Sequence, residues 1–64
     1  MKFTVPNMTC GGCARGVTAS IKAVDADAVV DINVATKMVE VQSTQSFEDI
    51  AAALTEDGFP PQAV

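Results

Sequence analysis

The sequence of residues 2–24, KFTVPNMTCGGCARGVTASIKAV, contains three successive patterns that decide the fold. Residues 2–5 alternate polar and apolar side chains, which predicts a strand. Residues 7–12 are mostly turn-forming and predict an exposed loop. Apolar residues then recur at spacings of three, four and three, which predicts a helix over about residues 12–24. The apolar residues on that helix face are Ala14, Val17, Ile21 and Val24.

The middle of the chain predicts a hairpin. Apolar residues alternate with mostly polar ones from Ala28 to Val34, which indicates a half-buried strand. Residues 35–37 provide a turn, and the alternation resumes from Met38 to Gln42. We therefore expect two antiparallel strands paired side by side.

The last third predicts a second helix and a weak strand. Ser46 is a favoured N-cap residue, and the acidic Glu48 and Asp49 suit the positive end of the helix dipole. Gly58 is a typical stop signal. Residues 59–64 include two prolines, which remove two ladder donors, so this strand must be short and lie at a sheet edge.

The predicted order is β-α-β-β-α-β, which indicates an α+β fold of the ferredoxin-like type. We expect one domain, residues 1–64, in which an antiparallel four-stranded sheet carries both helices on one face. The predicted core consists of Phe3, Val5, Val17, Ile21, Val30, Ile32, Val34, Val39, Val41, Phe47, Ile50 and Leu54.

Composition limits the function. The 64 residues include no histidine, which excludes His-based acid–base chemistry and His-ligated zinc, so we expect no enzyme. A net charge of −4 argues against nucleic acid as a partner, and no apolar run is long enough for direct membrane insertion. If Met1 is the true start, there is no room for a signal peptide, and a cytoplasmic location is expected.

Charge is distributed unevenly along the chain. Residues 1–24 contain Lys2, Arg15 and Lys22 and no acid, whereas residues 25–64 contain all eight acidic residues. The cysteines therefore lie in the basic segment. We expect this basic side to favour thiolate over thiol and to face an acidic surface of a partner.

Cys10-Gly11-Gly12-Cys13 is the motif whose side chains can bind a metal or react. Its spacing brings two sulfurs within reach of one atom at the start of a helix, where unpaired N–H groups favour thiolate. Such a pair suits a soft d¹⁰ cation, and Cu(I) accepts two thiolates, with Ag(I) or Hg(II) as mimics. A structural Zn²⁺ site normally needs four ligands, which this chain does not supply.

Other interpretations of the cysteine pair stay open. A thioredoxin-like redox pair is one, although the chain is short and lacks tryptophan. A structural disulfide would close a tiny loop and constrain the unfolded chain little. Half of an intermolecular zinc site is the third.

The segment Met8-Thr9-Cys10-Gly11-Gly12-Cys13, with this order of elements, resembles the heavy-metal-associated (HMA) domain family, and in particular its small bacterial-type copper chaperones. The resemblance covers essentially the whole chain. It implies that Cys10 and Cys13 bind one Cu(I) and transfer it by ligand exchange to the soluble CxxC domains of a copper-transporting P-type ATPase, a role in copper homeostasis. A copper-bridged homodimer is a further implied partner.

The resemblance leaves alternative functions open, and several residues of this chain differ from the family pattern. The chain is alternatively an excised N-terminal metal-binding domain of such an ATPase, a zinc, mercury or cadmium domain, or a dithiol oxidoreductase. Many members have Gly in place of Asn7 and His in place of Gly12, and zinc-selective relatives often have an acid in place of Thr9. We expect Met8 to pack inward rather than bind metal. For Phe59, shielding of the site and core packing are both open.

Overall fold

The computed structural model describes residues 1–63 and has the predicted order of elements. The fold is the expected ferredoxin-like one, with a four-stranded antiparallel sheet and two helices. Val64, the last residue of the predicted fourth strand, lies outside the described residues. The elements are β1 (Lys2–Thr4), α1 (Gly11–Val24), β2 (Val29–Asn33), β3 (Met38–Gln42), α2 (Phe47–Glu56) and β4 (Gln62–Ala63).

The strands lie in the order β2-β3-β1-β4, so β2 and β4 form the edges. Thr4, the last residue of β1, pairs with Met38 on one side and with Gln62 on the other. The turn between β2 and β3 therefore lies at the same end of the sheet as the loop that follows β1. The fourth strand is short and at an edge, as predicted, because Pro60 and Pro61 immediately before it lack ladder donors.

Both helices begin and end for local reasons. The Ser46 Oγ accepts a hydrogen bond from the Asp49 N–H at 3.2 Å, which confirms the predicted N-cap of α2. Gly58 has a φ of 90°, a left-handed conformation that favours glycine and stops the helix. Cys10 is the N-cap of α1, which begins one residue earlier than predicted.

The core lies between the sheet and the helices, and most of it was predicted. Eight of its fully buried residues belong to the predicted set, and Met8 and Ala28 join them. The inward packing expected for Met8 is confirmed, because its side chain is 0% exposed. The eight predicted residues are Phe3, Val5, Val17, Ile21, Val39, Val41, Ile50 and Leu54.

Four predicted core residues are not fully buried, although two of them, Val30 and Ile32, still pack against the core. Phe47 is exposed because it occupies the first position of α2, where its ring packs edge-on against Phe3 with centroids 5.5 Å apart. Val30, Ile32 and Val34 are only half-buried. They belong to the edge strand β2 or follow it, where no further strand covers them.

We predict that Leu54→Ala lowers the free energy of unfolding by about 2–5 kcal/mol, because it leaves a cavity beneath α2. The control Val29→Ala should cost about 1 kcal/mol or less, since Val29 is 60% exposed. Urea denaturation followed by circular dichroism measures both. Equal shifts in the two variants would contradict this assignment of the core.

Candidate metal site

The site loop, residues 5–12, comprises the connection from β1 to α1 and the first two residues of α1, and it brings the two predicted site residues together. Cys10 is exposed in the loop, and Cys13 is half-buried in the first turn of α1. Their Sγ atoms lie 2.8 Å apart, and both cysteines are free thiols. One ion can therefore contact both sulfurs from the solvent side.

Cys10 also starts the helix. Its backbone is extended, with φ −153° and ψ 168°, and its C=O accepts the N–H of Ala14 at 3.1 Å. Its Sγ accepts the N–H of Cys13 at 3.3 Å. The sulfur thus takes the position of an N-cap acceptor, where the unpaired N–H groups and the dipole of α1 stabilise negative charge.

Hydrogen bonds to the second sulfur lower its proton affinity. The contact with the Cys10 side chain, followed by one with the Thr9 backbone, lowers the pKa of the Cys13 thiol below its ordinary value. Burial acts in the opposite direction. A lower pKa raises the fraction of thiolate, which is the form that binds metal.

The basic residues of the segment 1–24 differ in their distance from the site. The Arg15 Nη2 atom and the Cys10 Sγ atom both lie 3.9 Å from the position that a Cβ on Gly12 would occupy, so the guanidinium and the Cys10 sulfur both approach Gly12. Lys22 lies in the last turn of α1. At about 1.5 Å per residue this is roughly 13 Å from Cys13 along the axis, so Lys22 lies at the opposite end of α1 from the sulfurs.

Phe59 packs against α1. The ring is half-buried, and its Cε2 lies 3.2 Å from the position that a Cβ on Gly16 would occupy. The contact supports the packing interpretation of Phe59. Sequence reasoning missed the role of Gly16, although a glycine inside a helix, where it costs about 1 kcal/mol, was an available signal.

The described residues supply two sulfurs and no larger ligand cluster. Among residues 1–63, no group of three or more His, Cys, Asp or Glu residues is close enough to hold one ion. Over the same residues, no helix is both long and apolar enough to cross a membrane. An exposed pair of thiols at the start of a helix offers soft ligands, which suit soft metal ions such as Cu(I).

Comparisons with known proteins indicate the class of the protein. Residues 2–60 match the model of the heavy-metal-associated domain, so the chain belongs to the heavy-metal-associated domain family. A gold-binding protein of known crystal structure is 48% identical, with a TM-score of 0.94, and the match covers 97% of this chain and 95% of that one.

Two more distant structures have the same fold. The copper chaperone Atx1 from Synechocystis PCC6803 is 29% identical, with a TM-score of 0.93 and coverage of 97% and 98%. Oxidized MerP from Ralstonia metallidurans CH34 is 26% identical, with a TM-score of 0.79 and coverage of 95% and 89%. No curated protein sequence matches the chain. The protein is thus a metal-binding domain similar to Atx1-like chaperones.

We predict that Cys10→Ala raises the pKa of the Cys13 thiol toward its ordinary value, because it removes the largest cause of the lowering. The Cβ chemical shift of Cys13, followed against pH in the metal-free protein, should then change at higher pH than in the unmodified chain. Thr18→Ala is the control, since the Thr18 hydroxyl bonds the Ala14 C=O and not the sulfurs. An unchanged titration in Cys10→Ala would contradict this account of the thiolate.

Proposed function

We propose that this protein is a copper chaperone that binds one Cu(I) through the thiolates of Cys10 and Cys13. The proposed recipient is the matching CxxC domain of a copper-transporting P-type ATPase. The observation that carries the proposal is the exposed pair of sulfurs, 2.8 Å apart, without a larger ligand cluster among residues 1–63. A cytoplasmic location and a copper-bridged homodimer belong to the same proposal.

The chemistry of the pair favours a monovalent soft ion. Thiolates are soft ligands, and Cu(I) is satisfied by two of them, whereas Zn²⁺ would have to recruit further donors from elsewhere. Two thiolates and one Cu(I) leave a single negative charge. The start of α1 lies beside that charge and stabilises it, and the Arg15 guanidinium, which approaches Gly12 as the Cys10 sulfur does, adds positive charge to the same region.

The exposure of the site suits transfer. Cys10 is exposed, and a Cβ on Gly11 would meet no atom within 4 Å, so the space beside both residues is open. A thiolate of the partner therefore reaches the ion from the Cys10 side. In ligand exchange, each incoming thiolate replaces one outgoing thiolate through a three-coordinate intermediate. The ion keeps its charge and no electron is exchanged, so the step requires no catalytic acid, base or oxidant.

A second candidate cargo is Au(I). It is favoured by the gold-binding protein, which is 48% identical to this chain, whereas the Atx1 copper chaperone is 29% identical. Au(I) is also a soft d¹⁰ ion, so a two-thiolate site suits both metals. The geometry of the two sulfurs does not favour Cu(I) over Au(I), so a competition titration with both ions must decide between them.

We predict that the unmodified protein binds one equivalent of Cu(I) with sulfur ligands only, and that Cys10→Ser or Cys13→Ser abolishes stoichiometric binding. Anaerobic titration with X-ray absorption at the copper edge measures stoichiometry and ligand type together. Met8→Leu, which conserves volume in the core, is the control and should bind normally because Met8 is buried. Oxygen or nitrogen ligands, or normal binding in the double serine variant, would refute the proposal.

The same protein distinguishes the alternatives. Competition at matched free concentrations should place Cu(I) far above Zn²⁺, and a preference for Au(I) over Cu(I) would favour the second cargo. Insulin reduction at useful rates would instead favour a dithiol oxidoreductase. Neither metal ranking separates a free-standing chaperone from a domain of an ATPase, because both use the same site.

We predict that Arg15→Glu slows copper transfer to an acidic partner domain by several-fold to about tenfold at low ionic strength, and less at high ionic strength. Lys22→Glu is a matched control with the same change of charge, but in the last turn of α1 and away from the site. Stopped-flow transfer measures both rates. Equal effects of the two variants would show that net charge, rather than docking beside the site, controls the rate.

A further inference from the structure

The base of the site loop is a fixed turn. The Val5 C=O accepts the Met8 N–H at 3.0 Å, and the Val5 N–H donates to the Lys37 C=O at 2.9 Å. Pro6, at the second position of the turn, has a restricted φ, and the Met8 side chain is fully buried. Backbone bonds and core packing therefore hold residues 5–8 in place.

Asn7, at the third position of this turn, makes a bond that the turn itself does not need. Among residues 1–63, Lys37 is the one non-glycine residue with a positive φ, so Asn7 is not there to adopt a left-handed conformation. Its Nδ2 instead donates to the Gly58 C=O at 3.1 Å. Because a carbonyl only accepts, the amino group of the amide must face it.

The acceptor lies in a segment that is fixed as well. The Gly58 N–H donates to the Thr55 C=O at 3.1 Å, and the Phe59 N–H donates to the Leu54 C=O at 2.7 Å. The Phe59 ring lies against Gly16 of α1. Asn7 thus connects the site loop to the end of α2, which packs on the same helix that begins at the cysteines.

The other half of the site loop is held by the capping bonds of Cys10, whose Sγ accepts the Cys13 N–H and whose C=O accepts the Ala14 N–H, rather than by core packing. Thr9, Cys10, Gly11 and Gly12 are all exposed. A Cβ on Gly11 would meet nothing within 4 Å. The loop therefore has a fixed base, residues 5–8, and an open tip, residues 9–12.

We propose that Asn7 is a positioning residue of the metal site. Its amide fastens the base of the loop to Gly58, so that opening is confined to the tip and only the Cys10 sulfur swings away while Cys13 keeps the ion. Without that bond the turn at Asn7, which backbone bonds and burial hold only at its ends, Val5 and Met8, moves with the tip, so both sulfurs separate from the ion more readily and metal is released faster. This inference rests on the proposed function, since it concerns the release of a bound ion.

The test compares Asn7→Ala with Thr4→Val. Thr4 Oγ1 donates to the Gln62 C=O at 3.4 Å, so it too is an exposed side-chain bond to the C-terminal segment, but it lies in β1 and outside the site loop. Release of Cu(I) to excess bathocuproine disulfonate should be about two- to tenfold faster in Asn7→Ala and unchanged in Thr4→Val. The X-ray absorption spectrum should show the same sulfur ligands in all three proteins.

A second measurement requires no metal. Amide hydrogen exchange of the metal-free protein should become faster at Met8 and Cys13 in Asn7→Ala, because the Met8 N–H closes the turn that contains Asn7 and the Cys13 N–H bonds the Cys10 sulfur in the tip, which would move with that turn. Thr4→Val should leave these two amides unchanged.

The outcomes separate the two proposals. Failure of the unmodified protein to hold Cu(I) would overturn the proposed function, and the exchange data would still decide whether Asn7 fixes the loop. If the unmodified protein holds Cu(I), unchanged release in Asn7→Ala overturns the positioning role. An equal acceleration in Thr4→Val overturns it as well, because a general loss of stability would then explain the effect.

Discussion

The unpaired N–H groups at the start of α1 are the constraint on which the site depends. A helix of 14 residues must satisfy these donors, and here a thiol sulfur, that of Cys10, accepts one of them. The N–H group that the Cys10 sulfur accepts is that of Cys13, so capping of the helix brings the two cysteines together in its first turn. Helix capping and the proposed metal binding therefore depend on one arrangement of atoms, and a change that disturbs the cap disturbs the sulfur pair.

A rigid scaffold surrounds this arrangement without covering it. Met8 anchors the loop in the core, and Ser20, although buried, is satisfied by the Asp57 carboxylate, which joins α1 to α2. At the far end, the Ser43 hydroxyl bonds the Asp25 carboxylate at 2.6 Å and lowers the pKa of Asp25. These links fix the position of α1 relative to the rest of the chain. The cysteines lie at its uncovered tip, where a partner has access.

The similar structures include a gold-binding protein, a copper chaperone and MerP, so proteins with this fold are named for different metals and roles. A pair of sulfurs alone discriminates poorly among soft d¹⁰ ions, because each of them is satisfied by low coordination with thiolates. Discrimination then depends on the neighbours of the pair. In this chain they include Thr9 before the first sulfur, the Arg15 guanidinium in the same region, and Asn7 at the base of the loop.

The sequence alone determined the features that depend on near neighbours in the chain. Apolar spacing gave the order of the elements, Ser46 gave the start of α2, and the two-residue separation of Cys10 and Cys13 gave the site. Only the tertiary structure decided that β2 lies at an edge of the sheet and that its inward residues are half-buried. The bond from Asn7 to Gly58 likewise joins residues far apart in the chain. Periodicity is a local property that shows which face of an element is apolar, whereas neighbours brought together by packing depend on how every element is placed.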